Sequence, residues 1–245
     1  MESIYKDRFA DAGDFTFFIV GNVAEDTAKI MVEKYIGSLT NLPRTETWTD
    51  RDVHGPKGKT TREIQIPLQV KKATVVINFD AKMPYSPEQN LLLNIFRNIL
   101  TLRYTDEIRE KEGGTYGVRV SASSDKFPKE EKSLQLMFDT DPDKAEYLKS
   151  IIYHEINKIA DNGPSAEDLD KAIKNLQKDR EQSKSHNAYW LNALTTYYDY
   201  GYNPASPENF EKILSEMTAA QVQEFAKSLV AKSDVIDVLF TPKAE

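Results

Sequence analysis

Ile108-Arg109-Glu110-Lys111-Glu112-Gly113-Gly114-Thr115-Tyr116-Gly117-Val118-Arg119-Val120 reads as the end of a helix, a Gly-Gly stop and a strand opening on a tyrosine. Upstream, Leu92, Leu93, Ile95, Phe96, Ile99 and Leu100 are apolar nearly all round, which predicts a deeply buried helix. Its start is marked by Ser86 as cap, Pro87 in the first turn and Gln89 completing a capping box. Downstream, Tyr116, Val118, Val120 and Ala122 alternate, and so do Leu134, Leu136 and Phe138, which predicts a hairpin. Across the glycine turn, Arg109 and Tyr116 are two donors suited to a ligand that presents oxygens. The plain reading of the same residues is a solvated charged helix end, where a basic side chain complements the dipole, and an ordinary strand tyrosine.

Toward the N-terminus, residues 1–14 form a polar lead-in. Phe15-Thr16-Phe17-Phe18-Ile19-Val20, stopped by Gly21-Asn22, predicts a buried strand. Ala24 to Gly37 predicts a helix with an Ala28, Met31, Val32, Tyr35 and Ile36 stripe. Pro43, Gly55, Pro56 and Gly58 make residues 40–60 the clearest linker. Ile64, Ile66, Leu68 and Val70 followed by Val75, Ile77 and Phe79 predict another hairpin, with Pro67 favouring an edge or a bulge.

Toward the C-terminus, Asp141-Pro142 opens a helix that Gly163-Pro164 closes, and Ser165 with Asp168 starts a long helix running as far as Tyr200. The aromatic cluster of Tyr189, Trp190, Tyr197, Tyr198, Tyr200 and Tyr202 is read as core or interface. Ser206-Pro207 and Thr218 with Gln221 cap two further helices, and Val235 to Phe240 is a closing strand. Hairpins mixed with helices define an α+β layered fold with a largely antiparallel sheet. The expected division is 1–42, the strand and helix ending a preceding αβ subdomain; 43–60, a linker; and 61–245, a C-terminal αβ domain. A lone strand and helix cannot form a core of their own.

Among the 245 residues, 40% are hydrophobic and 29% charged, a globular composition. The net charge of −7 argues against a nucleic-acid partner, and no apolar run is long enough for a membrane span. The first eight residues contain no apolar signal region. The chain has no cysteine, so thiolate nucleophiles and thiolate metal sites are excluded. His54, His154 and His186 are its only histidines, and none belongs to H-E-x-x-H or H-x-x-E-H, because the needed positions hold Lys158, Ser150 and Gln182. His154 is therefore read as a partly exposed helical residue. Metal ligands and catalytic residues are expected to be absent from this chain.

Arg109-Glu110-Lys111-Glu112-Gly113-Gly114-Thr115-Tyr116 resembles the R-E-K-x-G-x-x-Y segment of the pitrilysin (insulinase-like) zinc metallopeptidases. Tyr5-Lys6-Asp7-Arg8-Phe9, the run Phe15 to Val23, and Tyr35-Ile36-Gly37-Ser38-Leu39 resemble further segments of that family in the same order. The likeness is to the C-terminal, metal-free half of bacterial zinc-protease members. It implies a two-layer domain with helices packed on one face of the sheet. It also implies that zinc sits in an N-terminal catalytic half, on the same chain or a partner subunit, that the two halves enclose a peptide substrate, and that this chain is inactive alone. By the same resemblance, Arg109 and Tyr116 contact the substrate backbone near the carbonyl that becomes an oxyanion. A periplasmic or exported location is implied as well. Glu112-Gly113-Gly114-Thr115 departs from the Gly-Leu-Ala type run the family often has there. A second reading is a non-catalytic assembly and peptide-recognition module of the same fold; an RNA-binding domain is disfavoured by the charge.

Overall fold

The computed structural model describes residues 1–42, 47, 49–67, 71–112, 115 and 117–243, with backbone only for 110–112. Two helices, α1 (Glu2–Arg8) and α2 (Glu25–Tyr35), come first in the chain. Next come β1 (Lys59–Ile66), β2 (Ala73–Lys82), α3 (Pro87–Tyr104), a π-helical segment (Thr105–Glu112), β3 (Arg119–Asp125) and β4 (Glu131–Thr140). The chain continues through α4 (Ala145–Asn162), α5 (Ala166–Ser183), α6 (Asn187–Tyr200), α7 (Glu211–Ser215), α8 (Ala219–Lys232) and β5 (Ser233–Pro242).

The five strands form one sheet in the order β1-β5-β2-β4-β3. Only β1–β5 is parallel; β5–β2, β2–β4 and β4–β3 are antiparallel. The sheet is therefore mixed and largely antiparallel. Its alternation buries Ala73, Val75, Ile77, Phe79 and Ala81 of β2 and Leu134, Leu136 and Phe138 of β4 on one face. Helices α3, α4 and α8 cover that face. Leu92, Leu93, Ile95, Phe96, Ile99 and Leu100 of α3 are all buried, as their all-round apolarity requires, and Phe96 meets Phe225 of α8 edge to face at 6.2 Å. Each such side chain removed from water contributes about 1.5–3 kcal/mol. Ser86 caps α3, its side chain accepting from the Gln89 amide, with Pro87 in the first turn.

Several expectations are corrected. β1 and β2 are not a hairpin: β5 lies between them and pairs with both. β1 does take the edge position that Pro67 favours; Leu68 and Val70, also assigned to this strand, lie outside the described residues. Residues 15–20 form no strand, and Phe15, Phe17 and Ile19 are exposed, because no strand among the described residues lies alongside to pair with their backbone. The long helix from Ser165 is two helices. Ser183 and Ser185 turn their hydroxyls back onto the Asp179 and Gln182 carbonyls, and α6 starts afresh after His186. The aromatic cluster is not fully buried core: Tyr189, Tyr200 and Tyr202 are half-buried, while Trp190, Tyr197 and Tyr198 are exposed. Helix α6 instead meets the 15–21 segment, where Thr16 Oγ1 donates to the Tyr198 hydroxyl at 2.9 Å and the Phe18 ring lies 5.5 Å from that of Tyr198.

Candidate functional site

The end of α3 changes its winding. Thr101 and Thr105 turn their hydroxyls back onto the carbonyls of Arg97 and Thr101, each at 2.9 Å, a pattern that bends helices. The wider π-helical turn then runs from Thr105 to Glu112. Such turns recur at functional sites because they re-aim side chains.

One side of this turn is anchored to α4. Tyr104 is fully buried, its hydroxyl donating to the Ile152 carbonyl at 3.1 Å, and burial pushes its phenol well above the usual range. Ile108 is fully buried one turn later. Arg103 Nε donates to Glu155 Oε2 at 2.9 Å and Arg103 Nη2 to Glu107 Oε1 at 3.2 Å. The Glu155 carboxylate holds the guanidinium above its ordinary value. Lys158 completes this cluster at 3.6 Å from Glu155 Oε1. With Tyr104 and Ile108 fixed inward, the next residue, Arg109, is directed outward and is exposed.

Beyond the turn, Gly117 has φ +154° with nothing within 4 Å of where a Cβ would stand, so conformation rather than space calls for glycine there. Thr115 brackets the same point, its hydroxyl donating to the Gly117 carbonyl and accepting from the Gly117 amide, both at 3.3 Å. β3 starts two residues later. Of the two candidate contact residues, Arg109 is placed on the exposed side of an anchored turn; Tyr116, like Gly113 and Gly114, lies outside the described residues.

The histidine motifs are missing, His154 is an exposed residue of α4, and among the described residues no group of three or more His, Asp or Glu side chains is placed to hold a metal ion. No described helix is long and apolar enough to cross a membrane.

Some polar features escaped the sequence reading. The Arg103–Glu155 pair joins residues 52 positions apart, with no local signal. Lys132 was legible in principle, because it sits in register with Leu134, Leu136 and Phe138 on the inward face of β4. It is fully buried, donating to Asn90 Oδ1 at 2.9 Å and Ser124 Oγ at 2.8 Å, and burial lowers its ammonium to about 8, only partly opposed by Glu130 and Asp125.

Comparison with known proteins agrees with this picture. The Escherichia coli protein described as probable zinc protease PqqL is 25% identical over 243 residues, covering 94% of this chain and 25% of its own length. Its Haemophilus influenzae counterpart is 27% identical over 164 residues, covering 66% of this chain and 17% of its own. The chain thus spans about a quarter or less of these relatives. Among solved structures, a peptidase M16 inactive domain from Pseudomonas fluorescens superposes with a TM-score of 0.74 at 19% identity, covering all of this chain and 58% of its own. The E. coli periplasmic protease PqqL superposes at 0.71 with 21% identity, over 91% of this chain and 25% of its own. The first half of that same protease, solved separately, also superposes at 0.70 with 13% identity, over 91% of this chain and 50% of its own, so the fold occurs there too. The family described as peptidase M16 inactive domain matches residues 1–176, and the chain belongs to that family of zinc-protease relatives.

Proposed function

We propose that this chain is the metal-free portion of an M16-type zinc endopeptidase, closing a chamber around a peptide held by a zinc-bearing N-terminal half. In this reading residues 1–42 end a preceding αβ subdomain, 43–60 link it onward, and 61–245 form the domain that faces the substrate. The exposed Ile4, Tyr5, Phe9, Phe15, Phe17 and Met31 support that division, since an isolated unit gains nothing by leaving so many large apolar side chains in water. Zinc then belongs to the catalytic half, which supplies the chemistry. Following the E. coli relative, described as periplasmic, the same compartment is proposed.

Arg109 and Tyr116 are the proposed substrate contacts. The observation that carries this is the outward aim of Arg109 from a turn fixed by Tyr104, Ile108 and the Arg103–Glu155 pair. A guanidinium held on rigid support donates to a peptide carbonyl with little ordering cost, and a hydrogen bond from a charged donor contributes about 1.5–3 kcal/mol. In the full-length enzyme, Arg109→Ala is expected to lower kcat/KM for peptide cleavage by roughly 10- to 100-fold, and Tyr116→Phe by less. Circular dichroism and zinc content should be unchanged. Cleavage at the wild-type rate in the Arg109→Ala enzyme would remove the proposed role.

A further inference from the structure

A second polar site lies away from the π-helical turn. Between α3, α5, α6 and the loop at 201–210 is a cavity of about 340 Å³, within the size range of small-ligand pockets. Two arginines line it, and they are used differently. Arg180 of α5 is buried and committed to the wall: its Nη1 donates to the Pro204 carbonyl at 2.8 Å, and its Nη2 donates to the Ala205 carbonyl at 2.9 Å and Glu211 Oε2 at 3.2 Å. Its guanidinium carbon stands 4.1 Å from the Phe210 ring centroid, and its Nε contacts Glu211 Oε1 at 2.9 Å without hydrogen-bond alignment.

Arg97 of α3 has no such commitment. Its Nε is buried without a hydrogen-bond partner, and no carboxylate pairs with it among the described residues. The Tyr189 hydroxyl of α6, lining the same cavity, is also buried and unpartnered. A buried donor left unpaired costs about 1–3 kcal/mol, and more when charged. Two of them on one cavity call for a common explanation. Both are donors, and the lining around them is mixed, with Leu91, Leu176 and Ala193 buried beside the amides of Asn94, Asn192 and Asn209. Asp179 is the single carboxylate in the lining and is exposed at the rim; Glu211 beside it offsets Arg180. With Asp179 facing solvent and Glu211 spent on Arg180, Arg97 is the lining cation that no carboxylate pairs among the described residues, and a single guanidinium suits a monoanion better than a phosphate dianion.

We propose that this cavity binds a monocarboxylate on an apolar stem, the carboxylate accepting from Arg97 and the Tyr189 hydroxyl while the stem packs on Leu91, Leu176 and Ala193. This proposal does not depend on the peptidase reading. Two sources share the chemistry: a free small acid, and the C-terminus of a peptide. The test titrates the 245-residue chain, by calorimetry or protein NMR, with N-acetyl-leucine, acetyl-Ala-Ala-Leu, the amide of each, and inorganic phosphate. Saturable binding of at least one carboxylate is expected, with its amide weaker by roughly tenfold or more and phosphate weaker still. Arg97→Met and Tyr189→Phe should each weaken that binding by about tenfold while their melting temperatures stay close to wild type. Binding of the tripeptide alone assigns the site to peptide C-termini; binding of both, or of the small acid alone, assigns it to free carboxylates. The proposal is overturned if neither carboxylate binds at millimolar concentration, if the amides bind equally, or if the Arg97→Met variant, folded, binds as wild type does.

Discussion

Glu155→Gln tests whether the π-helical turn is fixed by its ionic anchor. The Glu155 side chain is 4% exposed and accepts from Arg103 Nε at 2.9 Å, with Lys158 at 3.6 Å. The amide keeps the shape and one acceptor but removes the charge, leaving Arg103 with Glu107 at 3.2 Å. Breaking a fully buried ion pair costs about 3–5 kcal/mol. Arg103 is 21% exposed and keeps one carboxylate, so its residual charge is partly solvated and the expected loss is about 2 kcal/mol. For a domain of this size that is a fall in Tm of about 4–8 °C. Urea unfolding of the wild type, Glu155→Gln, Arg103→Met and the double variant should give a coupling above about 1 kcal/mol. Moderate salt should change the result little, because the carboxylate is shielded from the solvent. A loss below about 0.5 kcal/mol with no coupling would mean that apolar packing alone holds the turn.

Tyr104→Phe removes the hydroxyl donated to the Ile152 carbonyl and should cost about 1–2 kcal/mol in the same urea assay. Ile99→Ala opens a hole at a fully buried point of α3 and should cost about 2–5 kcal/mol. Lys132 gives a pH dependence. Folded, its ammonium titrates near 8 against an ordinary 10.5, so the unfolded chain binds more protons between those values and stability should rise as pH climbs through them. Tyr85 acts in the opposite sense above about pH 10: burial raises its phenol, so the unfolded chain loses its proton first and stability falls. Urea midpoints between pH 7 and pH 10 should therefore rise for the wild type and stay flatter for Lys132→Met; equal slopes would show that Lys132 is not the source.

Features written in adjacent residues were the legible ones. Ser86-Pro87 and Thr218 with Gln221 fixed helix starts because a cap acts over three positions. The hairpin of β3 and β4 was legible because its strands are neighbours in sequence and in space. The assumption that neighbours pair failed at β1 and β2, whose shared partner comes from the far end of the domain and leaves no local trace. Residues 15–20 carry strand chemistry without a described partner, so propensity alone misled. Arg109 could be nominated from sequence because its spacing to Tyr116 is local and resembles a family segment, whereas Arg97 and Tyr189 share a cavity only after α3 and α6 have packed.

The insertion of β5 between β1 and β2 also sets an order of events in time. Lys59 pairs with Val235, 176 positions later, so β1 is synthesised long before β5, the one strand it pairs with among the described residues. At about 5–20 residues per second that interval is roughly 10–35 s, during which β2, β3, β4 and α3 can already assemble through nearby contacts. β1 waits through this period as an unpaired edge, the condition under which strands find wrong partners. Its sequence suits the wait: Lys59, Thr60, Thr61, Arg62 and Glu63 put charge and hydroxyls where a sticky strand would be a hazard. The polar character of this strand thus protects the nascent chain until β5 arrives.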